Sequence, residues 1–305
     1  MNKRQENILK ALKEYRIQKQ VFNSVEVMDR NLRYPINTDE GIQLKNVDYK
    51  DGIYNLPALQ KGLTAESQKE PLIFFENLEE NKSLNFPVYS MTLNDELKKF
   101  ILQALKYVCK DVDRYIMNGI YFGNGAISAT DSRRLLTKEV TALNDADYLL
   151  NWNSKNASLL KKMFDNSDDL NLTVYKNKAT LENDEFLYIF PLIDGQFPNF
   201  KQIIPEESAL ENEFILPDLK TLKTINSLIA KDKRVLFKDD KIEFMNKDDE
   251  TLTVFFQSSL DYEISFNVEF LIDAVDFTDR LKNKDITSPG AFFKDDQVIL
   301  IMPMR

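Results

Sequence analysis

Three stretches of this chain follow one plan, and that repetition constrains its fold more than any other feature of the sequence. Each opens with an amphipathic helical pattern and continues into short β-type runs joined by a polar turn. The first is Lys3 to Ile17 followed by VFNSVEVMDRNLRYPI, and the second is Asn94 to Lys110 followed by YIMNGIYFGNGAISAT. The third is Pro217 to Lys231 followed by RVLFKDDKIEFMN. In each, the turn (DRN, GNG, KDDK) lies between alternating or β-branched runs, the signal of a hairpin. A second helix-plus-strands half follows in the middle unit, Ser154 to Asp165 and then LTVYKNKATLE and EFLYIFPLI. In the last unit it is Asn267 to Arg280 and then AFFKDD and VILIMPMR. Only LPALQKGL and PLIFF remain of it in the first unit, so that copy reads as shortened. The copies share a plan rather than residues. Boundaries near Pro87 and Glu207 give a shortened module over 1–87, a middle module over 88–207 and a last module over 208–305. The expected class is α+β, with helices packed on antiparallel sheet in each module.

Composition narrows the chemistry. A chain of 305 residues exceeds one ordinary core, and 43% hydrophobic with 29% charged residues is a globular balance. No apolar run approaches the roughly 20 residues of a membrane helix, so no bilayer span is expected. The start, MNKRQENILKALKEYRIQK, is charged throughout and lacks the apolar centre of a signal peptide. The single cysteine forbids an internal disulfide and fits a reducing cytoplasm. There is no histidine, which removes Ser-His and Cys-His nucleophile pairs, the usual zinc sites and the commonest general base. Carboxylates in DDE (Asp248 to Glu250) and ENDE (Glu182 to Glu185) could hold magnesium, but both sit in turn-like surroundings and read more simply as solvated loops. Cys109 falls on an amphipathic pattern and reads as a small packing residue. The expectation is a non-catalytic protein with no cofactor; a carboxylate-metal nuclease or nucleotidyl transferase is a distant alternative.

A net charge of −9 argues against nucleic acid until the lysines are placed. In NDELKKFILQALKYVCK, Leu97, Phe100, Ile101, Ala104, Leu105 and Val108 share one helical face. At about 100° per residue, Lys99, Gln103, Lys106 and Lys110 fall opposite, with no acid between them. The third unit repeats this: Leu219, Leu222, Ile225 and Ile229 inward, Lys220, Thr224, Ser227 and Lys231 outward. Lys161 and Lys162 oppose Leu159, Leu160 and Met163, while Lys3, Lys10 and Lys13 oppose Ile8, Leu12 and Tyr15 with Glu6 and Glu14 among them. On one helix such lysines are ordinary solvation. Several acid-poor backs converging would instead line a positive surface that touches phosphates without reading bases. The acidic remainder would repel DNA everywhere else.

At this point the residues resemble a known family. YIMNGIYF followed by SATDSRRL resembles the middle-domain signature of the bacterial DNA polymerase III beta subunit, the sliding clamp. DGQFPNFKQIIPEE, FNVEFLIDAV and the ending IMPMR are similar to three further segments of that family, in the same order. The resemblance covers about residues 88 to 305; the first 87 fit by plan only. Ser132 and Arg133 stand where the family has Gly-His, and no apolar residue follows the last arginine.

The resemblance implies the DNA-clamp fold and a homodimeric ring around duplex DNA, lined by Lys10, Lys13, Lys99, Lys106, Lys110, Lys161, Lys162, Lys220 and Lys231. It implies a processivity factor that tethers a polymerase catalytic subunit, and meets a clamp loader, through short linear peptides. The pocket for those peptides would be formed by Met117, Thr130, Ser132, Arg133, Arg134, Leu135, Pro205, Asn267, Phe270, Ile301, Met302, Pro303, Met304 and Arg305. Arg134 and the terminal carboxylate would hold polar parts of the ligand. Leu228 and Ile229 match positions packed at the family's dimer interface; packing in their own core is the other reading, and both stay open. The implied setting is the cytoplasm and nucleoid of a bacterial or phage-infected cell. A clamp-fold adaptor that binds peptides without encircling DNA is the alternative function, motivated by the short first module.

Overall fold

A computed structural model describes residues 1–12, 24–36, 40–59 and 86–305, which fall into two compact units. One comprises Met1–Asn124 with Leu143–Gln196, the other Gly125–Ala142 with Phe197–Arg305. Elements are numbered along the chain.

In the first unit, β1 (Ser24–Met28), β2 (Asn31–Pro35), β3 (Gly41–Leu44) and β4 (Gly52–Asn55) meet β5 (Tyr89–Leu93), β10 (Leu170–Val174), β11 (Lys178–Glu182) and β12 (Phe186–Pro191). They form one antiparallel sheet in the order β4-β1-β2-β3-β12-β11-β10-β5, joined in its middle by β3 pairing with β12. The hairpin expected at DRN is present: Asp29 and Arg30 take φ of 49° and 64°, the two left-handed residues a tight type I′ turn requires. Asn124 and Gly125 do the same at the GNG turn, with φ of 53° and 75°.

Among the described residues, four helices accompany the sheet: α1 (Lys3–Ala11), the single turn α2 (Leu56–Leu59), α3 (Asp95–Ala104) and α4 (Ala157–Asp165). Asn2 caps α1 in a reciprocal capping box with Gln5, and the Asn94 side chain accepts from the Leu97 amide at the start of α3. The apolar faces read from periodicity are buried, Ile8 and Leu9 on α1, Leu97, Phe100 and Ile101 on α3, Leu159, Leu160 and Met163 on α4. Helix α4 lies beside both α1 and α3. Trp152 is fully buried, its ring 5.2 Å from that of Phe190, 6.0 Å from Phe122 and 6.4 Å from Phe164. It thereby joins α4 and β12 to β6 (Ile120–Gly123), whose partner in this unit is β9 (Asp147–Leu150).

Helix α3 ends at Ala104, not at Lys110. Leu105, Tyr107, Val108 and Cys109 are all buried, and one helix cannot turn four such residues inward together. The chain therefore tightens into three-residue turns, with Lys106 and Tyr107 amides donating to the carbonyls of Gln103 and Ala104.

In the second unit the strands β7 (Ala126–Thr130), β8 (Arg134–Glu139), β13 (Asn212–Ile215), β16 (Arg280–Asn283), β17 (Gly290–Lys294) and β18 (Gln297–Ile301) lie in the order β13-β16-β17-β18-β8-β7. The apolar run VILI is thus an interior strand, with Ile299 opposite Phe292 on one side and Leu136 on the other. Helices α5 (Leu219–Leu228) and α6 (Val268–Val275) pack together. A long ribbon of β14 (Arg234–Met245) and β15 (Thr251–Asn267) completes the unit. The turn expected at KDDK is instead an irregularity within β14, where register shifts on both sides of Asp239. The reversal comes at Asn246–Glu250, where the Asn246 side-chain oxygen accepts from the amides of Asp248 and Glu250. That bonding satisfies the turn locally, as Asn side chains do. Helix α5 stops at Leu228, three residues before Lys231. Lys13, Tyr15 and the PLIFF segment lie outside the described residues.

Candidate functional site

The TDSRR stretch forms the loop between β7 and β8. Asp131 Oδ1 accepts from the amides of Arg133 (3.0 Å) and Arg134 (2.8 Å), and Thr130 Oγ1 donates to the Arg134 carbonyl at 2.6 Å. Ser132, at φ 74°, occupies the left-handed region where glycine is the unstrained choice. The same Asp131 reaches Arg134 Nε with Oδ2 at 3.0 Å. At the other end of the guanidinium, Nη1 donates to Asp273 Oδ2 of α6 at 2.7 Å, and the guanidinium carbon lies 4.2 Å from the Phe270 ring centroid. The Arg134 side chain is only 9% exposed.

Beyond β18 the tail stays attached by its backbone. Ile301 pairs with Arg134, the Met302 amide donates to the Arg133 carbonyl at 2.8 Å, and the Met304 amide donates to the Ser265 carbonyl at 2.8 Å. Met302 is 41% exposed, Pro303 and Met304 are half-buried and Arg305 is exposed. One patch of the second unit thus gathers the TDSRR loop, the tail and the start of α6. Its accessible surface sets the thioethers of Met302 and Met304, with Pro303 and Phe270, beside the exposed Ser132, Arg133 and Arg305, a mix of apolar and cationic groups.

The residues expected there divide into three kinds. Met302, Pro303, Met304 and Phe270 offer apolar contact, and Ser132 and Arg133 are exposed on the loop. Thr130, Leu135 and Ile301 are buried in the sheet, so they hold the wall rather than face a ligand. Asn267 caps α6, its Oδ1 accepting from the Glu269 amide at 2.8 Å. Arg134, expected to hold polar parts of a ligand, is turned inward and shared between two carboxylates, because a nearly buried guanidinium must be paired. Pro205 is half-buried in the second unit, and Met117 half-buried in the first. Asp131 and Asp273 were missed. The Asp-x-x-Arg spacing carried the signal for the first; nothing local announced the second.

The lysines expected to meet DNA are exposed on all described positions: Lys10, Lys99, Lys106, Lys110, Lys161, Lys162, Lys220 and Lys231. Lys106, Lys110 and Lys231 stand beyond their helix ends. Lys161 is paired with Asp165 at 3.0 Å, which reduces its share of the positive surface. On α5, Lys220 and Lys223 have no acid among the helical residues. Asp218 sits before them as cap, and the hydrogen bond from the Thr221 amide holds its carboxyl below the usual range. Ile229 is 1% exposed and belongs to its own core, leaving Leu228, 46% exposed, as the one of that pair able to meet a second chain. Leu228 borders a shallow depression with Phe244 and Val254. DDE and ENDE are tight turns, and no cluster able to hold a metal occurs among the described residues.

No protein-family model matches the chain. Among curated proteins it is similar to the beta sliding clamp of Mycoplasma capricolum, 29% identical over 270 residues, which is 81% of this chain and 66%, just under two thirds, of that protein. It is also similar to the beta sliding clamp of Lactococcus lactis, 22% identical over 288 residues, covering 84% of this chain and 76% of that one. In fold it is similar to the DNA polymerase III beta subunit of Thermotoga maritima, with a TM-score of 0.75, 16% identity and coverage of 98% of this chain and 96% of that one. The sliding clamp of Bartonella birtlesii bound to griselimycin matches with a TM-score of 0.78 and 17% identity, over 100% of this chain and 98% of that one. By sequence and by fold, the chain is a divergent relative of the bacterial beta sliding clamps, the DNA polymerase III beta subunits.

Proposed function

We propose that this protein is a DNA polymerase processivity factor: a non-catalytic clamp that encircles duplex DNA and tethers a polymerase through the patch around the C-terminal tail. The observation that carries this reading is the 270-residue sequence match to a beta sliding clamp. The exposed lysines on adjacent helices α1, α3 and α4 support it, as does the acid-free body of α5. In this reading retention is topological. Mobile lysines touch phosphates weakly, through screened contacts that carry no base code, so the protein slides instead of stopping. The division into modules at Pro87 and Glu207, a homodimeric ring, loading by an ATP-driven partner and action in the cytoplasm belong to the same proposal. Griselimycin, to which the Bartonella birtlesii clamp is bound, is a compound to test for binding to this protein.

The test loads the protein onto nicked circular duplex with its cognate loader and then linearises the DNA. Retention on circles and release on linearisation are expected, with faster loss from circles when Lys99, Lys162 and Lys220 are all changed to Glu. Equal retention on circular and linear DNA would overturn encirclement.

A further inference from the structure

We propose that Arg133 and Arg234 make the tail patch selective for apolar peptides that also carry carboxylates, the two guanidinium groups forming a cationic rim at the two ends of residues 302–304. The proposal rests on reading that patch as the partner site.

The backbone puts the rim in place. The Met302 amide donates to the Arg133 carbonyl at 2.8 Å, so the TDSRR loop stands against the start of the tail. Two residues on, the Met304 amide donates to the Ser265 carbonyl of β15 at 2.8 Å. On β14 the register partner of Ser265 is Leu236, and Arg234 lies two residues before it. From there Arg234 Nη2 comes within 3.5 Å of the Met304 carbonyl, long for a hydrogen bond and too weak to commit the cation. The tail therefore runs from Arg133 at one end to Arg234 at the other. Between them lie the exposed Met302 and the half-buried Pro303 and Met304.

Charge sets these two arginines apart from their neighbours. Both are exposed, and among the described residues no ion pair joins either of them to an acid. The acids nearby are engaged elsewhere or point along the backbone. Asp131 and Asp273 hold Arg134, and Glu269 lies 3.8 Å from Lys233. Asp232, exposed beside Arg234, accepts that residue's amide at 3.4 Å. A solvated guanidinium offers a donor fork that matches a carboxylate. In a chain of net charge −9 an acidic ligand is repelled by most of the surface, so outward cations focus it onto this patch. The thioethers and Pro303 supply apolar contact, and the arginines choose, among apolar segments, those with acids beside them.

The experiment exposes the immobilised full chain to a random library of acetylated, amidated octapeptides at low salt and sequences those retained. The double variant Arg133→Gln with Arg234→Gln, and the single variant Met302→Ser, are screened beside it; all three positions are exposed, so the fold is expected to persist. The wild type is expected to retain peptides that combine Leu, Phe or Met with Asp or Glu. The double variant keeps donors without charge and is expected to lose the acid enrichment while keeping the apolar one. For a retained acidic peptide, surface plasmon resonance is expected to show binding about three- to tenfold weaker to the double variant, chiefly through slower association, with the difference vanishing at high salt. Lysine at both positions is expected to recover most of the loss, which ties it to charge instead of shape. Acid-free peptides that are lost on Met302→Ser leave the partner site standing and overturn the rim. Acid enrichment that survives the double Gln change overturns the rim as well. Peptides indifferent to Met302→Ser, or none retained, overturn the partner-site reading and this proposal with it.

Discussion

Ser132 stands at φ 74° in a loop whose turn is held locally, its own amide donating to Thr130 Oγ1 at 3.1 Å and that of Arg133 to Asp131 Oδ1 at 3.0 Å. A non-glycine residue there bears steric strain that glycine does not. Ser132→Gly is therefore expected to stabilise the second unit by about 0.5–1 kcal/mol, read as a higher midpoint in urea. A lower midpoint would show that the serine side chain contributes more than the strain costs. Lys98 and Lys99 make a related point. They are adjacent, yet Lys98 is buried, its Nζ donating to the carbonyls of Ser167 at 2.8 Å and Asp168 at 2.5 Å, while Lys99 is exposed. Periodicity placed Lys99 correctly on the open face. It gave no sign that its neighbour ties α3 to the turn after α4, because the acceptors lie about seventy residues away.

At the scale of elements, β18 shows why a chain can carry VILI so near its end. The strand lies between β17 and β8, so both its ladders are paired and its side chains are covered. Ile299→Ala is expected to cost about 2–5 kcal/mol, as other large-to-small changes in close-packed cores do. Denaturation monitored in the second unit checks it, and a cost below about 1 kcal/mol would mean the strand is not packed as described. The helical faces and the DRN and GNG hairpins were legible because spacing and turn residues specify them locally. The KDDK reversal was misplaced for an equally physical reason. Polar residues suit a bulge within a strand as well as a turn, and only the pairing partner on β15 distinguishes the two.

At the scale of the whole molecule, the first half of β15 pairs only with β14 among the described strands, and Phe255 upon it is 70% exposed. An open strand carrying such a residue, with exposed Leu228 in the same unit, is a surface that invites a partner. A homodimer of the proposed kind would be one way to cover it. Light scattering across a dilution series is expected to give a mass near twice 35.6 kDa for the wild type. Leu228→Asp is expected to shift it toward the monomer. A wild-type monomer at every concentration would refute the stable dimer and favour the adaptor that binds peptides without encircling DNA.

The sequence by itself determined the α+β class, the inward faces of the helices, two hairpin turns, the lack of histidine chemistry and the likeness to sliding clamps. These follow from short-range periodicity, turn stereochemistry and motif order, all written within a few dozen residues. The tertiary structure alone decided that α3 stops at Ala104, that Ile229 belongs to the core while Leu228 does not, and that Arg134 turns inward. Each depends on which distant groups share a buried space. Asp273 stands 139 residues from Arg134, and only the closed chain brings its carboxylate to 2.7 Å from that nearly buried guanidinium.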